Sequence, residues 1–559
     1  MFVKQGNAMK KPLLLSLAVA TLITTNLSAE NMYDRIQAME AQMKSLKKEI
    51  SVLQEASAKN EDASVDDEEE DTQELESEDG VIPIEEVLAQ DEDAEDAEDA
   101  EEEDDGEDED EFEDETSIAD LEESISDLNR ATGGNHLKFK VDYRFAVDNL
   151  QYQMADGSTA KNDAFMTNRL WINMGYKATN NLTFKGQIAY SKAFGQRSDT
   201  NSDSSTNPGY NFENFDWVAS ENPYDDLLRV RQAYFLWQDR TFLGAQIPWT
   251  FSIGRRPSTN GHLINFRDDD HASSPLAHTI NVEFDGLSSR FTFIPEWGTS
   301  IKLCMGRGMS NAAHKFTSTP YADDTSANAS IDLAGLIFVP YDDGQYSIAT
   351  QYYYANNLID QTFNAAGVPQ ESFYTVGGLH SFTANATING IGEEISDFLD
   401  ETIFFLSGAF TQTDPNKDAY MLYNQASGEA AGLSKDGYSV WVGTQFPSLI
   451  SEDGRWGVEY NHGSQYFRSI TYAEDTNIGS KIATRGDAYE AYFTEYLVED
   501  ILSLQLRYTY INYEYTGSNG FFGGTTGNSI LIEDANSAGM GANYVDIAQD
   551  IRLYIRYKY

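Results

Sequence analysis

Alternation with a period of two dominates the chain from residue 137 onward. In the last stretch Ile551, Leu553, Ile555, Tyr557 and Tyr559 fall on one side, and Arg552, Tyr554, Arg556 and Lys558 on the other. Successive side chains of a strand point to opposite faces, so the pattern predicts a strand with one apolar and one cationic face. Leu502, Leu504, Leu506, Tyr508 and Tyr510 alternate in the same way with Ser503, Gln505, Arg507 and Thr509. Phe139, Val141 and Tyr143 alternate with Lys138, Lys140, Asp142 and Arg144. About 16 such stretches, with a range of roughly 14–18, can be laid along residues 135–559, an even number as single-chain bacterial barrels require. The connections between them alternate in length. Thr179–Asn180, Gln238–Thr241, Pro295–Gly298, Tyr341–Gly344 and Glu499–Asp500 are short; 195–226, 256–287, 357–373, 468–486 and 516–546 are long; two of the inner turns, 389–401 and 447–454, are longer than ideal. Short turns at one rim and long loops at the other predict an all-β transmembrane antiparallel barrel, greasy outside and wet inside. A soluble sandwich would also bury apolar strand faces, but it has no reason to alternate its connections so regularly.

The N-terminal quarter reads differently. Met9-Lys10-Lys11, the apolar run Leu13–Ile23 and the small-residue ending Leu27-Ser28-Ala29 predict a signal peptide over 1–29. Met32, Ile36, Met39, Met43, Leu46, Ile50 and Leu53 are spaced alternately four and three apart, a heptad seam predicting a periplasmic coiled coil over 30–57. Ile118, Leu121, Ile125 and Leu128 predict a short amphipathic helix over 117–132, stopped by Gly133-Gly134.

Charge changes the picture only locally. The formal net charge is −54, but residues 61–115 carry 34 Asp or Glu and no Lys or Arg, which leaves −20 for everything else. So dense a tract repels itself and cannot bury a core, and 58–116 reads as an acidic disordered linker. After Ala29 no apolar run is long enough for a membrane helix, while 32 Tyr and 30 Phe suit the aromatic girdles of a barrel. The single cysteine, Cys304, cannot close an internal disulfide and reads as a buried or lipid-facing thiol.

Candidate chemistry gathers in the third long loop, 256–287. Arg255 and Arg256 lead into it, and Arg267, Asp268, Asp269, Asp270 and His271 lie within it. Adjacent clusters of opposite sign on a loop that narrows a pore would set up a transverse field, so Arg255, Arg256, Arg267, Asp268, Asp269 and Asp270 are the constriction candidates. Simple pairing of these charges on a solvated loop is the alternative. Arg229, Arg231, Arg507, Arg552, Arg556 and Lys558 are the basic candidates for the lumen wall. Catalysis finds little support, because the histidines fall mostly in loops and no serine motif of nucleophile-elbow type precedes a helix. His271 and His278, seven apart, are a weak metal pair, so neither metal nor cofactor is expected.

The segment Ile253-Gly254-Arg255-Arg256-Pro257-Ser258-Thr259, the turn Phe284-Asp285-Gly286 and the Arg-Tyr-Lys-Tyr ending resemble an uncharacterised outer-membrane family of epsilon-class proteobacteria. The resemblance covers roughly 135–559 and implies a porin-like barrel of unknown function, without catalytic residues to carry over. In general porins the third loop folds into the lumen. The expectation is a porin in the outer membrane of a Gram-negative bacterium, passing small hydrophilic solutes or ions, with its N-terminal region in the periplasm. A receptor or structural tether with a plugged barrel is the alternative, and an outer-membrane hydrolase a more distant one. Expected partners are outer-membrane lipid and the barrel-assembly machinery, which would read the terminal strand ending at Tyr559. Further copies of the chain are expected too, as a trimer by analogy, and no nucleic acid.

Overall fold

A computed structural model describes residues 137–195, 227–256, 261–309, 331–363, 369–392, 395–423, 428–471, 474–518 and 529–559. The expected signal peptide, coiled coil, acidic linker and short helix lie outside the described residues. Sixteen strands close into one antiparallel barrel. They are β1 (Leu137–Met154), β2 (Thr159–Thr179), β3 (Leu182–Ala193), β4 (Arg229–Asp239), β5 (Trp249–Arg256), β6 (Phe284–Ile294), β7 (Thr299–Met309) and β8 (Ile331–Asp342). The circuit continues with β9 (Tyr346–Phe363), β10 (Pro369–Asn389), β11 (Ile403–Pro415), β12 (Asp436–Pro447), β13 (Gly454–Gly463), β14 (Gly486–Val498), β15 (Leu502–Tyr513) and β16 (Val545–Lys558). β16 pairs with β1 from Asp142↔Lys558 to Met154↔Val545, so no strand edge is left open.

Each alternating stretch becomes a strand because its two faces meet opposite surroundings. Phe139, Leu506 and Ile551 point outward and are about half exposed, while Asp142, Arg507 and Arg552 point inward and are nearly inaccessible. The polarity of a soluble core is thus turned inside out. Several boundaries differ from the alternation for physical reasons. The alternation predicts a strand over 242–255, but β5 begins at Trp249, because Leu243 and Gly244 adopt positive φ in a tight turn and Pro248 has no N–H for a ladder. The first two strands, predicted over 138–150 and 164–177, extend to Met154 in β1 and back to Thr159 in β2, since hydrogen bonding outlasts the point where the apolar face ends.

The long loops at one rim include L3 (257–283) between β5 and β6 and L7 (464–485) between β13 and β14. Both turn into the barrel. L3 carries one short helix, α1 (Ile264–Asp268), and its Ile280–Asn281 pairs in parallel with Ile470–Thr471 of L7. Leu263, Ile264 and Ala277 of L3 pack with Ile482 of L7 and with Phe405 and Trp441 of the wall, a small apolar core inside the lumen. L7 can lie this close because Gly437 on β12 has no side chain: a Cβ there would come within 2.2 Å of the Phe467 backbone nitrogen.

Candidate functional site

The candidate site is the lumen, where L3 and L7 meet the wall. Along β14, β15, β16, β1 and β2 many of the inward positions are charged, and the loops bring charges of their own to meet them. Arg556 donates to both oxygens of Asp142, at 2.9 and 2.6 Å, and to Asp270 of L3 at 2.7 Å; it also reaches the carbonyl of Asp268. Arg169 shares Asp142 at 3.1 Å. Lys558 Nζ donates to the carbonyl of Asp269 at 2.8 Å. A second set holds L7: Arg144 forks onto both carboxylate oxygens of Asp475, while Arg552 and Arg507 donate to the Asp475 carbonyl at 2.6 and 2.7 Å. Arg267 of L3 donates to Asp268 at 2.8 Å and to Glu490 of β14 at 3.4 Å, and it also reaches the carbonyl of Glu474. Lys481 of L7 bridges Glu459 and Glu490.

Neighbouring carboxyls of L7 titrate in opposite directions. Burial pushes Asp475 up, but Arg144, helped by Arg552 and Arg169, overrides it and holds the group well below the usual carboxylate range. Burial likewise raises Glu474, and Lys481 and Arg267 offset it only in part, so its carboxyl is pushed up to about 7.

Apart from Lys302 on β7, which donates to Ser274 of L3, the arc from β7 to β12 holds the same loops with uncharged groups. Gln351 on β9 brackets the L3 backbone, its Oε1 accepting from Leu276 N–H and its Nε2 donating to Leu276 carbonyl, both at 2.7 Å. His278 of L3 sits between the hydroxyls of Ser407 and Ser439, at 2.7 and 2.9 Å, and burial lowers its imidazole to about 3, so it is neutral. Ile280 and Val282 pack on the inward faces of Leu333, Ile337, Tyr353 and Leu379. Cys304 belongs to this apolar patch and is buried.

The sequence-selected residues divide between two places. Asp268, Asp269 and Asp270 meet Arg556 and Lys558 at the charged arc, where Arg267 meets Glu490 and where Arg507 and Arg552 meet Asp475 of L7. Arg255 and Arg231 instead meet Glu283 at the end of L3, with Arg231 Nε 2.5 Å from its carboxylate and Arg255 Nη2 3.4 Å. Arg255 also lies 3.6 Å from Asp285, and the Arg256 guanidinium lies 5.2 Å from the ring centre of Tyr234. Arg229 begins β4. Sequence reasoning put Asp142 and Arg144 on an inward face but did not select them. It missed Asp475, Glu474, Lys481, Glu459 and Glu490 altogether. Strand parity could have flagged Glu459 and Glu490; the L7 charges carry no periodic signal.

Two cavities border the loops. At the short-turn rim a vestibule of about 590 Å³ is lined by Asp269, Asp270, His271, Glu401, Glu452, Asp453, Glu499 and Asp500, with Arg455 and Lys558. A chamber of about 190 Å³ lies between L3 and β6–β9, and His271 borders both. Among the described residues no group of three or more His, Cys, Asp or Glu side chains is arranged to hold a metal ion.

Comparison with solved structures finds distant likeness to several barrels. OmpF of Salmonella typhi, in complex with daunomycin, gives a TM-score of 0.41 at 12% identity, covering 77% of this chain and 99% of that one. OprB of Pseudomonas putida gives 0.41 at 13% identity, with 79% and 97% covered. An anion-selective porin from Comamonas acidovorans gives 0.39 at 10% identity, with 76% and 99% covered. No curated protein matches the chain. Residues 159–559 match the model of a family described only as protein of unknown function, DUF3373, and the chain belongs to that family.

Proposed function

We propose that the protein is an outer-membrane diffusion channel whose lumen is narrowed by L3 and L7, passing small hydrophilic solutes or ions without catalysis. The observation that carries this reading is the inverted barrel: a closed ring of 16 strands with an apolar exterior and a charged interior. Such a ring is wide enough to enclose water. The acidic vestibule and the chamber beside L3 supply polar space within it, and their shared border at His271 marks the route we assign to solutes. In this reading the short-turn rim faces the periplasm, where residues 30–132 also lie, and the β16 strand ending at Tyr559 is what the assembly machinery reads. Assembly as a homo-oligomer, a trimer by analogy, belongs to the same proposal.

The test is stepwise conductance of the purified full chain in planar bilayers. Wild-type protein is expected to give discrete steps. Replacing Arg255 and Arg256 by Ser is expected to move the reversal potential in a salt gradient towards cation preference. One observation favours a second reading, a plugged receptor: Arg267, Glu474 and Arg507 are already buried and engaged. Silence from wild-type protein at every voltage, with steps appearing once residues 464–485 are removed, would establish the plug and reject the open channel.

A further inference from the structure

The chamber beside L3 differs from the rest of the lumen in its charge. Lys302 on β7 and Arg290 on β6 are direct cross-strand partners, and both line it. Like charges placed opposite each other on neighbouring strands repel. Elsewhere in the lumen such repulsion is relieved by carboxylates, as Asp142 relieves Arg169 and Arg556. Here, among the described residues, no carboxylate lies within ion-pair distance of either cation. Lys302 is 6% exposed, and its Nζ donates to Ser274 Oγ of L3 at 2.6 Å. Arg290 Nε donates to Ser300 Oγ at 3.2 Å. A nearly buried ammonium beside a guanidinium, each held only by a serine hydroxyl, is a pair of charges short of its counter-ion. Asp342 borders the chamber, but its Oδ1 accepts from Gly344 N–H in the turn.

We infer that Lys302 and Arg290 form a binding site for a small oxyanion, a phosphate or a short carboxylate, inside the barrel between L3 and β6–β7. The guanidinium fork and the ammonium supply charge-assisted donors, and the serine hydroxyls complete a shell suited to several oxygens. At ~30 Å³ for each water, a chamber of about 190 Å³ has room for a phosphate or an acetate. Because L3 contributes Ser274, an occupied site ties the loop to the wall at β7. The consequence for selectivity rests on the channel reading; the binding does not.

The test is calorimetric titration of the detergent-solubilised full chain with inorganic phosphate, acetate and chloride, for wild type, Lys302→Gln, Arg290→Gln, the double variant and Lys302→Arg. Phosphate or acetate is expected to bind more tightly than chloride. Each single Gln variant should weaken binding at least ten-fold, the double variant should abolish it, and Lys302→Arg should restore much of it. Lys161→Gln, exposed on β2, should leave it unchanged. Far-UV circular dichroism identifies any variant that fails to fold, in which case the Lys302→Arg and Arg290→Lys affinities decide. Unchanged affinity in the folded double variant, or no binding by wild type, overturns the site. Bilayer records separate the two proposals: a silent wild-type barrel that still binds phosphate leaves the site standing and removes the channel.

Discussion

Two arcs of the barrel wall hold the same pair of loops by different physics. From β13 round to β2 the contacts include a run of ion pairs: Arg556 with Asp142 and Asp270, Arg144 with Asp475, Lys481 with Glu459 and Glu490. On the opposing arc, with β7 to β10 eight strands from β15 to β2, the contacts are, apart from Lys302 with Ser274, neutral hydrogen bonds and apolar packing around Gln351, Thr279 and Val282. Neutral bonds tolerate piecemeal loss, each contributing roughly 0.5–1.5 kcal/mol. Buried ion pairs do not, because removing one partner strands a charge out of water at a cost of about 3–5 kcal/mol. The charged arc therefore fixes where the loops sit, and the neutral arc fits their shape.

The sharpest way to break this contrast is Arg556→Met. It leaves Asp142 with Arg169 alone and frees Asp270 and the Asp268 carbonyl from their shared donor. We expect a loss of stability of about 3–5 kcal/mol in denaturant titrations, together with noisier conductance as the L3 tip comes loose. A loss no larger than that of a neutral contact would mean that the charged arc is not the anchor.

Glu474 sharpens the contrast by titration. Its carboxyl has a reference value of 4.5 and sits at about 7 in the fold, raised first by burial and also by Glu490, against the pull of Lys481 and Arg267. The folded chain therefore binds more protons than the unfolded chain between those two values, and stability falls as pH rises through that window. The loss is at most on the order of 3 kcal/mol. Glu474→Gln should remove the slope between pH 5 and pH 7.5. Asp475 works the other way: its depressed carboxyl contributes stability that is complete above the ordinary carboxylate value and is lost only in strong acid. Asp475→Asn should lower stability at pH 7 and leave the slope near neutrality in place.

On the neutral arc, Gln351→Leu is expected to lower stability by roughly 1–3 kcal/mol, since it leaves the buried N–H and carbonyl of Leu276 without their shared partner. Its effect should not vary with salt, whereas ion pairs are weakened by salt to the extent that water reaches them.

How far the sequence reaches follows from the same physics. The barrel and its strand number were legible, because an apolar face on one side and a polar face on the other impose a period of two. The charges of L3 were visible as a cluster. Their partners were not: Asp475 lies 331 residues from Arg144, and Asp142 lies 414 from Arg556. Register alone brings such residues together, and no local pattern encodes it. L7 was visible as a long loop but its inward course was not, because its segment 464–485 has no periodicity and its close approach to the wall uses Gly437, which reads in sequence as one more glycine in a strand.

The smallest expected effect tests the premise beneath the comparison. Lys161 and Asp163 on β2 also form an ion pair, at 3.2 Å, but both side chains are 64% exposed. Their attraction acts through water and is screened by salt, so such a pair contributes roughly 0–1 kcal/mol. Lys161→Ala should therefore leave the denaturation midpoint nearly unchanged, and raising the salt concentration should erase what little difference remains. The chemistry of the two partners is the same as in the lumen; only the surroundings differ. If Lys161→Ala proved as damaging as Arg556→Met, burial could not be what gives the charged arc its hold on L3 and L7, and the distinction between the two arcs would lose its physical basis.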